Sequence, residues 1–435
     1  MSWRVRRAGP RQVPYSMPRT RPACETPAPP SATESMLDRV AGWSFLLFVA
    51  ALPWSIAPMS ITVGICAALT LAVWARSPVR WPVTPVAWPT LAWLIAFTLS
   101  AWFALDRAAS LPRLSKAFFP LLVPLAATHA RLPHRGHRAL AVLLVSATLA
   151  ALFGLALYLA KGAAWPARAH GAVGHYMTFG GQLLLFVSLA AGVLALERTP
   201  RWRLGALGAA LAGSAALAAT YTRSAWIGLA VSLAALLGLA RPRWLPALAA
   251  AIVIALALAP ASYRARALSA FAPRDPANLE RTYMWQSGLA MFRDHPLTGV
   301  GLQDMKPLYD RYKPPQARER ASHLHSVPIQ IAAGMGLVGL VAFVLLYGSL
   351  FVAAGRGLRR MIAAGGLAAG LRASVVAMLA GFLVAGLFEW NFGDEELLYP
   401  LFTLVGMAWA ARGWDATAPS AEAAPGAAAA PVSAP

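Results

Sequence analysis

Residues 327–355 read VPIQIAAGMGLVGLVAFVLLYGSLFVAAG, 29 positions without one charged side chain. A helix crosses the apolar core of a bilayer with about 20 such residues, so this stretch is long enough to span a membrane. Outward from it lie eleven more apolar runs, at roughly 40–57, 59–75, 84–104, 117–130, 139–160, 177–196, 204–221, 225–240, 245–262, 367–388 and 397–411. Short charged breaks separate them. Several runs fall below the crossing length, which implies tilt or helix ends buried in protein. Trp54, Trp74, Trp102 and Trp226 stand near run ends, where indole rings favour the membrane–water boundary.

Composition agrees. The 435 residues are 58% hydrophobic and 13% charged, where a soluble domain carries about 25% charged residues. An ordinary cytosolic enzyme is excluded. Lys+Arg 38 against Asp+Glu 17 gives a net charge of +21. Such a charge first suggests nucleic acid, but a nucleic-acid binder needs solvated basic patches, and most of this chain offers no solvated surface. The basic residues sort by side instead. The even-numbered breaks and the two tails hold 22 of them against 6 acidic residues. The odd-numbered breaks hold 16 against 11, and 10 of those 16 fall in one long loop. Short loops decide orientation, and the basic ones stay in the cytoplasm. Both termini are therefore expected in the cytoplasm and the long loop on the far side, which in a bacterium is the periplasm. The inner excess needs no partner beyond anionic membrane lipid.

The expected architecture is an all-α polytopic membrane protein with about 12 transmembrane helices. Residues 1–36 form a disordered basic tail that lacks the apolar region of a secretory signal peptide. Residues 37–262 hold helices 1–9, residues 263–326 a helical loop domain, residues 327–412 helices 10–12, and residues 413–435 a disordered Ala/Pro-rich tail. No internal repeat is evident. Cys24 and Cys66 are too few for a disulfide framework or a cysteine metal site. Within the loop, Asp275-Pro276 marks a helix start. Leu279, Met284, Gly288, Met291 and Phe292 form a loose helical stripe, Asp294-His295-Pro296 ends it, and a second short helix follows over 302–313.

Charges that membrane sorting does not explain carry the functional information. The short outer breaks hold Arg107, Arg113 and Lys116, then Lys161 and Arg168, then Arg223. Thr222-Arg223-Ser224 is the whole gap between two apolar runs. A charge there costs about 2–3 kcal/mol toward the helix centre, and intramembrane charges are functional by default, although snorkelling to headgroups is the bland alternative. Arg281 lies one turn before Trp285 in the loop helix, where a solvated face is the alternative. Together these residues suggest an outward-facing site for a ligand with several phosphate charges, which guanidinium forks suit. His323-Leu324-His325 immediately precedes the run at 327. Two histidines alone are not a metal site, and only Glu389 with Asp394-Glu395-Glu396 is placed to complete one.

Several stretches then resemble one family. His325-Ser326, nine residues, Gly336, two residues and Gly339 resemble the His-(Asn/Ser/Gln)-x9-Gly-x-x-Gly motif of the O-antigen ligases (WaaL type), with Leu340 where a Thr is common. Tyr221-Thr222-Arg223-Ser224-Ala225 resembles the family's Ser/Thr-Arg-Ser/Gly motif. Arg281, Trp285 and Asp294-His295-Pro296-Leu297-Thr298-Gly299-Val300-Gly301 resemble the start of its periplasmic domain, and His175-Tyr176-Met177-Thr178-Phe179-Gly180 is another similar stretch. The resemblance covers roughly residues 40–410.

It implies a GT-C-type membrane glycosyltransferase in the bacterial inner membrane with its active site facing the periplasm. It implies an undecaprenyl-diphosphate-linked O-antigen donor, a lipid A-core acceptor, and neither metal nor other cofactor. A diphosphate leaving group needs its growing charge stabilised, which Arg can do, and the acceptor hydroxyl needs a base, which His can be. On this reading His325 is the base, with His323 as fallback. Arg223 and Arg281 hold the diphosphate, Arg168, Arg113 and Lys116 are further diphosphate candidates, and His175 and Trp285 are substrate contacts. An O-antigen polymerase and a protein O-oligosaccharyltransferase share much of the pattern. A transporter for the lipid-linked sugar is the rival from another class, and it predicts paired charges in mid-helix that these runs lack.

Overall fold

A computed structural model describes residues 35–76, 82–163 and 165–414. The two terminal tails, apart from residues 35–36 and 413–414, lie outside the described residues, as do Cys24 and Arg80. The helices are α1 Met36–Ala51, α2 Ile56–Arg76, α3 Ala87–Trp102, α4 Arg107–Ser110, α5 Leu122–His129, α6 Pro133–Ala160, α7 Tyr176–Leu196, α8 Pro200–Ala219, α9 Arg223–Ala240, α10 Leu245–Leu258, α11 Ala261–Leu268, α12 Pro276–Asp294, α13 Lys306–Tyr312, α14 Val327–Gly355, α15 Leu358–Ala364, α16 Leu367–Ala385 and α17 Glu395–Ala410. No strand occurs among the described residues.

Every apolar run holds one of these helices. Seven of the described helices, namely α2, α6, α7, α8, α9, the one containing α14, and α16, are long and apolar enough to cross a membrane. The remaining runs carry the shorter α1, α3, α5, α10 and α17, of 8 to 16 residues. The run at 117–130 is split because prolines interrupt it. A 3-10 stretch, Leu111–Leu121, contains Pro120 and hands over to α5. At its start, Ser35 caps α1 by accepting from the amide of Asp38. At the other end Trp414 is buried and its indole N–H donates to the Ala130 carbonyl at 2.8 Å.

α7 and α16 are the most enclosed of the seven, each with 78% of its apolar window buried, against 17% for α2. They form the centre of the bundle. Small residues let the backbones touch there: a Cβ on Gly228 of α9 would stand 2.8 Å from the Gly381 carbonyl of α16. Close approach through small residues is how helices gain contact in lipid, where apolar burial itself drives little association.

The segment between α10 and α14 is helical and docks on one end of the bundle. α12 starts at Pro276, with Asp275 at the cap position and His295 at its end. Met284, Ser287, Gly288 and Met291 form its buried face, while Leu279 is exposed.

α14 is not continuous. Gly336 has φ 61 and ψ −157, which breaks the helix. The turn segment 296–301 lies in the break. Val300 and Gly301 donate to the carbonyls of Ala333 and Gly334 at 2.8 and 2.9 Å, and Leu337 donates back to Pro296 at 2.8 Å. A Cβ on Gly299 would strike the Gly334 backbone, and one on Gly336 would strike Leu297. The glycines after His325 thus do more than pack helix on helix. They admit the loop backbone into the α14 helix that follows the His323–His325 segment.

Candidate active site

Arg223 opens α9. The chain reaches it through a sharp turn in which Tyr221 takes a left-handed φ of 52, a conformation that costs a non-glycine residue energy and tends to mark functional positions. The guanidinium is only 5% exposed. It donates to Ser269 Oγ at 2.8 Å, Asn278 Oδ1 at 2.9 Å and Asp275 Oδ1 at 3.4 Å. Asp275 makes no side-chain cap to its own helix, because its carboxylate is turned to Arg223. An arginine at a membrane boundary is here bonded to the loop domain, so the lipid-snorkelling alternative does not describe it.

More guanidiniums surround it. Arg266 donates to the Tyr221 carbonyl at 3.3 Å. Burial, then the charges of Arg223 and Arg168, push Arg266 down to about 10, so these cations feel one another. Arg168 lies over the rings of Tyr176 at 4.2 Å and Trp165 at 4.7 Å, and one of its terminal nitrogens is buried without a hydrogen bond. Among the described residues, the carboxylate in direct contact with Arg223 is that of Asp275. An excess of positive charge, partly dehydrated and held by fixed partners, is an anion site in physical terms.

His325 lies just before α14 and also has a left-handed φ, of 46. Its Nδ1 stands 3.0 Å from both carboxylate oxygens of Glu389, which follows α16. Arg281 reaches the same carboxylate at 3.6 Å, and His323 Nδ1 approaches it at 4.0 Å. Burial works to raise Glu389, yet the His325 hydrogen bond and the charges of His325, His323 and Arg281 win and bring it to about 2. An ionised carboxylate only accepts. Nδ1 of His325 therefore carries a proton, and the neutral imidazole in this tautomer has its lone pair on Nε2. Burial, then His325, push His323 down to about 4, so His323 is neutral at physiological pH. Its ring centroid is 4.2 Å from that of His325.

His175 sits at the start of α7, its ring 4.8 Å from that of Tyr176. Burial lowers its pKa, with Glu389, His325 and Arg168 close enough to influence it. The indole N–H of Trp285 is buried without a partner. Asp394 accepts from Thr178 Oγ1 at 3.0 Å, and burial followed by Glu389 raises it to about 7.

Two cavities approach this centre. One, about 450 Å³, is apolar, lies among α8, α9, α10 and α11, and ends on Arg223. The other, about 290 Å³, is lined by aromatic and charged side chains, among them Trp93, Trp390, Arg113, Lys116 and His323. Arg113 and Lys116 line the second cavity, away from Arg223 and Arg281. Among the residues named from the sequence, the structure brings His325, His323 and Arg281 onto one carboxylate, sets Arg168 near Arg223, and puts Arg113 and Lys116 elsewhere.

Sequence reasoning missed Arg266, Ser269 and Asn278, which nothing in the local sequence distinguishes from other loop residues. Asp275 was read as a helix start, and Glu389 only as a possible metal ligand. His323, His325 and Glu389 do bring three ligand atoms within 4.8 Å of one another. Arg281 already holds that carboxylate, however, and its fixed charge opposes a second cation there. The donor set fits a charge-paired imidazole better than a divalent metal.

The class is now defined: an all-helical polytopic membrane protein with a His–Glu pair and an arginine cluster at one end of its bundle. A family model described as O-antigen ligase matches residues 207–344 of the 435. The matched segment contains Arg223, Arg266, Arg281, His323 and His325. No curated protein matches the chain.

Proposed function

We propose that the chain is an O-antigen ligase of the WaaL type, a GT-C-type enzyme of the bacterial inner membrane whose site faces the periplasm and whose termini are cytoplasmic. The observation that carries this reading is the His325–Glu389 pair beside Arg281, with Arg223 at the end of an apolar cavity. The donor is an undecaprenyl-diphosphate-linked glycan. Its polyprenyl chain suits the apolar cavity, and its diphosphate suits Arg223, Arg281, Arg266 and Arg168. The acceptor is a sugar hydroxyl of lipid A-core.

The chemistry follows from the side chains. Nε2 of His325 takes the hydroxyl proton, and Glu389 stabilises the imidazolium that results. The hydroxyl oxygen attacks the anomeric carbon, and the bond from that carbon to the phosphate oxygen breaks. The electron pair leaves with the diphosphate, where the arginines stabilise its growing charge. One displacement of this kind inverts the anomeric carbon. No metal is needed, since guanidiniums supply the positive charge. His175 and Trp285 are placed to contact substrate, and His323 is a neutral neighbour of the base.

An O-antigen polymerase would use the same base and clamp. A strain lacking the protein separates the two. Polymer that still accumulates on the lipid carrier but is missing from lipid A-core supports the ligase. Loss of the polymer itself overturns it in favour of the polymerase.

A further inference from the structure

A second cavity, lined by His323, is separate from the one lined by Arg223. None of Arg223, Arg266 or Arg281 lines this second cavity. It is about 290 Å³, enough for roughly one sugar ring with a substituent by the usual scale of small-ligand sites. Trp390 lines it and directly follows Glu389, to whose carboxylate its amide donates at 3.0 Å. An aromatic face beside a few fixed polar groups is how such cavities orient a ligand.

Its charge is the unexplained feature. Arg113 is exposed and makes no ion pair among the described residues. Lys116 donates to the Gly393 carbonyl at 3.0 Å and lies 3.5 Å from Glu395, so its charge is only partly offset. Asp304 also lines the cavity and accepts from the Lys306 amide. His323, which also lines it, has a buried Nδ1 without a hydrogen-bond partner. A neutral sugar requires neither cation.

We infer that this cavity is the acceptor subsite, and that Arg113 and Lys116 select an acceptor sugar bearing an anionic substituent, a phosphomonoester or a carboxylate, near the attacked hydroxyl. The inference rests on the transferase reading, and it moves these two cations from donor to acceptor. Donor and acceptor then occupy separate cavities: the lipid-linked diphosphate the one lined by Arg223, the acceptor the one lined by Arg113, Lys116 and His323.

The test uses purified full-length protein and a synthetic acceptor disaccharide with one phosphomonoester, beside the same disaccharide without it. Binding is measured by calorimetry, and acceptor and donor KM by transfer assay. Wild type is expected to bind the phosphorylated form at least about tenfold more tightly, a difference of the size one charge-assisted contact produces. In Arg113→Gln, and more fully in Arg113→Gln with Lys116→Gln, that preference shrinks toward one. Trp390→Ala weakens both acceptors alike. Because the readout is a ratio within each variant, loss of folded protein does not imitate it. Equal binding of the two acceptors by wild type, or an undiminished preference in the double variant, overturns the inference. So does a rise confined to donor KM, which would return the cations to the donor. Discriminating binding without any transfer would sink the transferase reading and leave the subsite standing.

Discussion

Glu389 and His325 are separated by 64 residues in sequence and by 3.0 Å between carboxylate and Nδ1. The loop that carries His325 is held to the end of α16 by the Val327 amide, which donates to Gly386 at 2.7 Å, and to α14 by Gln330, whose side chain accepts from the Leu324 amide at 2.8 Å. The ionised carboxylate fixes which imidazole nitrogen is free. Glu389→Gln keeps the size but removes the charge that stabilises the imidazolium. The expected result is a fall in turnover of roughly 10²-fold or more, within the span of general-base contributions, with the donor KM much less affected. Turnover at the wild-type rate would show that the pair is structural.

Arg223 makes its three bonds through both terminal nitrogens, to Ser269, Asn278 and Asp275. Lysine retains the charge but not the planar fork. Arg223→Lys should therefore raise donor KM by about tenfold or more and leave the acceptor KM unchanged, read in a transfer assay with each substrate varied in turn. A variant that behaves as wild type would reduce Arg223 to an anchor for the loop domain.

Asp394 gives a pH dependence of stability. Its carboxyl is raised from 3.8 to about 7 by burial and by Glu389. As pH rises, the unfolded chain loses this proton first, so stability is full below the unfolded value and declines until the folded group ionises at about 7. Asparagine cannot ionise and keeps an acceptor for Thr178. Asp394→Asn should raise the melting temperature in detergent at pH 8 and change it little at pH 4. His323, lowered to about 4, contributes the opposite slope in both proteins and cancels in the comparison. An identical pH profile for the two would contradict this account.

Gly336 is the other structural test. Its φ of 61 and the Leu297 backbone against it leave no room for a Cβ. Gly336→Ala should destabilise the protein by at least about 2 kcal/mol, the scale of a strained backbone combined with a core overlap. Thermal unfolding in detergent reads it directly, and an unshifted midpoint would mean the loop does not sit in the α14 break.

The helices were legible because lipid imposes a simple rule: long runs without charge become helices. The run at 117–130 read as one helix but is partly 3-10, since hydropathy ignores what Pro120 does to the backbone. Of the site, His325, Arg223 and Arg281 were legible as charges or motifs out of place. Their partners were not. Asn278, Ser269 and Arg266 are ordinary loop residues until the chain folds, and the meeting of Gly299 with Gly334 and Gly336 joins two stretches whose proximity no local pattern encodes. Arg113 and Lys116 were legible as unexplained cations, but which cavity they line depends on packing alone.

The central claim is that His325 is the base of a transfer that needs no metal. The most direct measurement is transfer of a glycan from undecaprenyl diphosphate to lipid A-core by purified protein in proteoliposomes containing EDTA, with wild type beside His325→Ala. The account predicts full wild-type activity in EDTA and a loss of at least about 10²-fold in His325→Ala, the lower bound for a lost general base. Undiminished transfer by His325→Ala, or wild-type activity that returns only when a divalent cation is added, would contradict it.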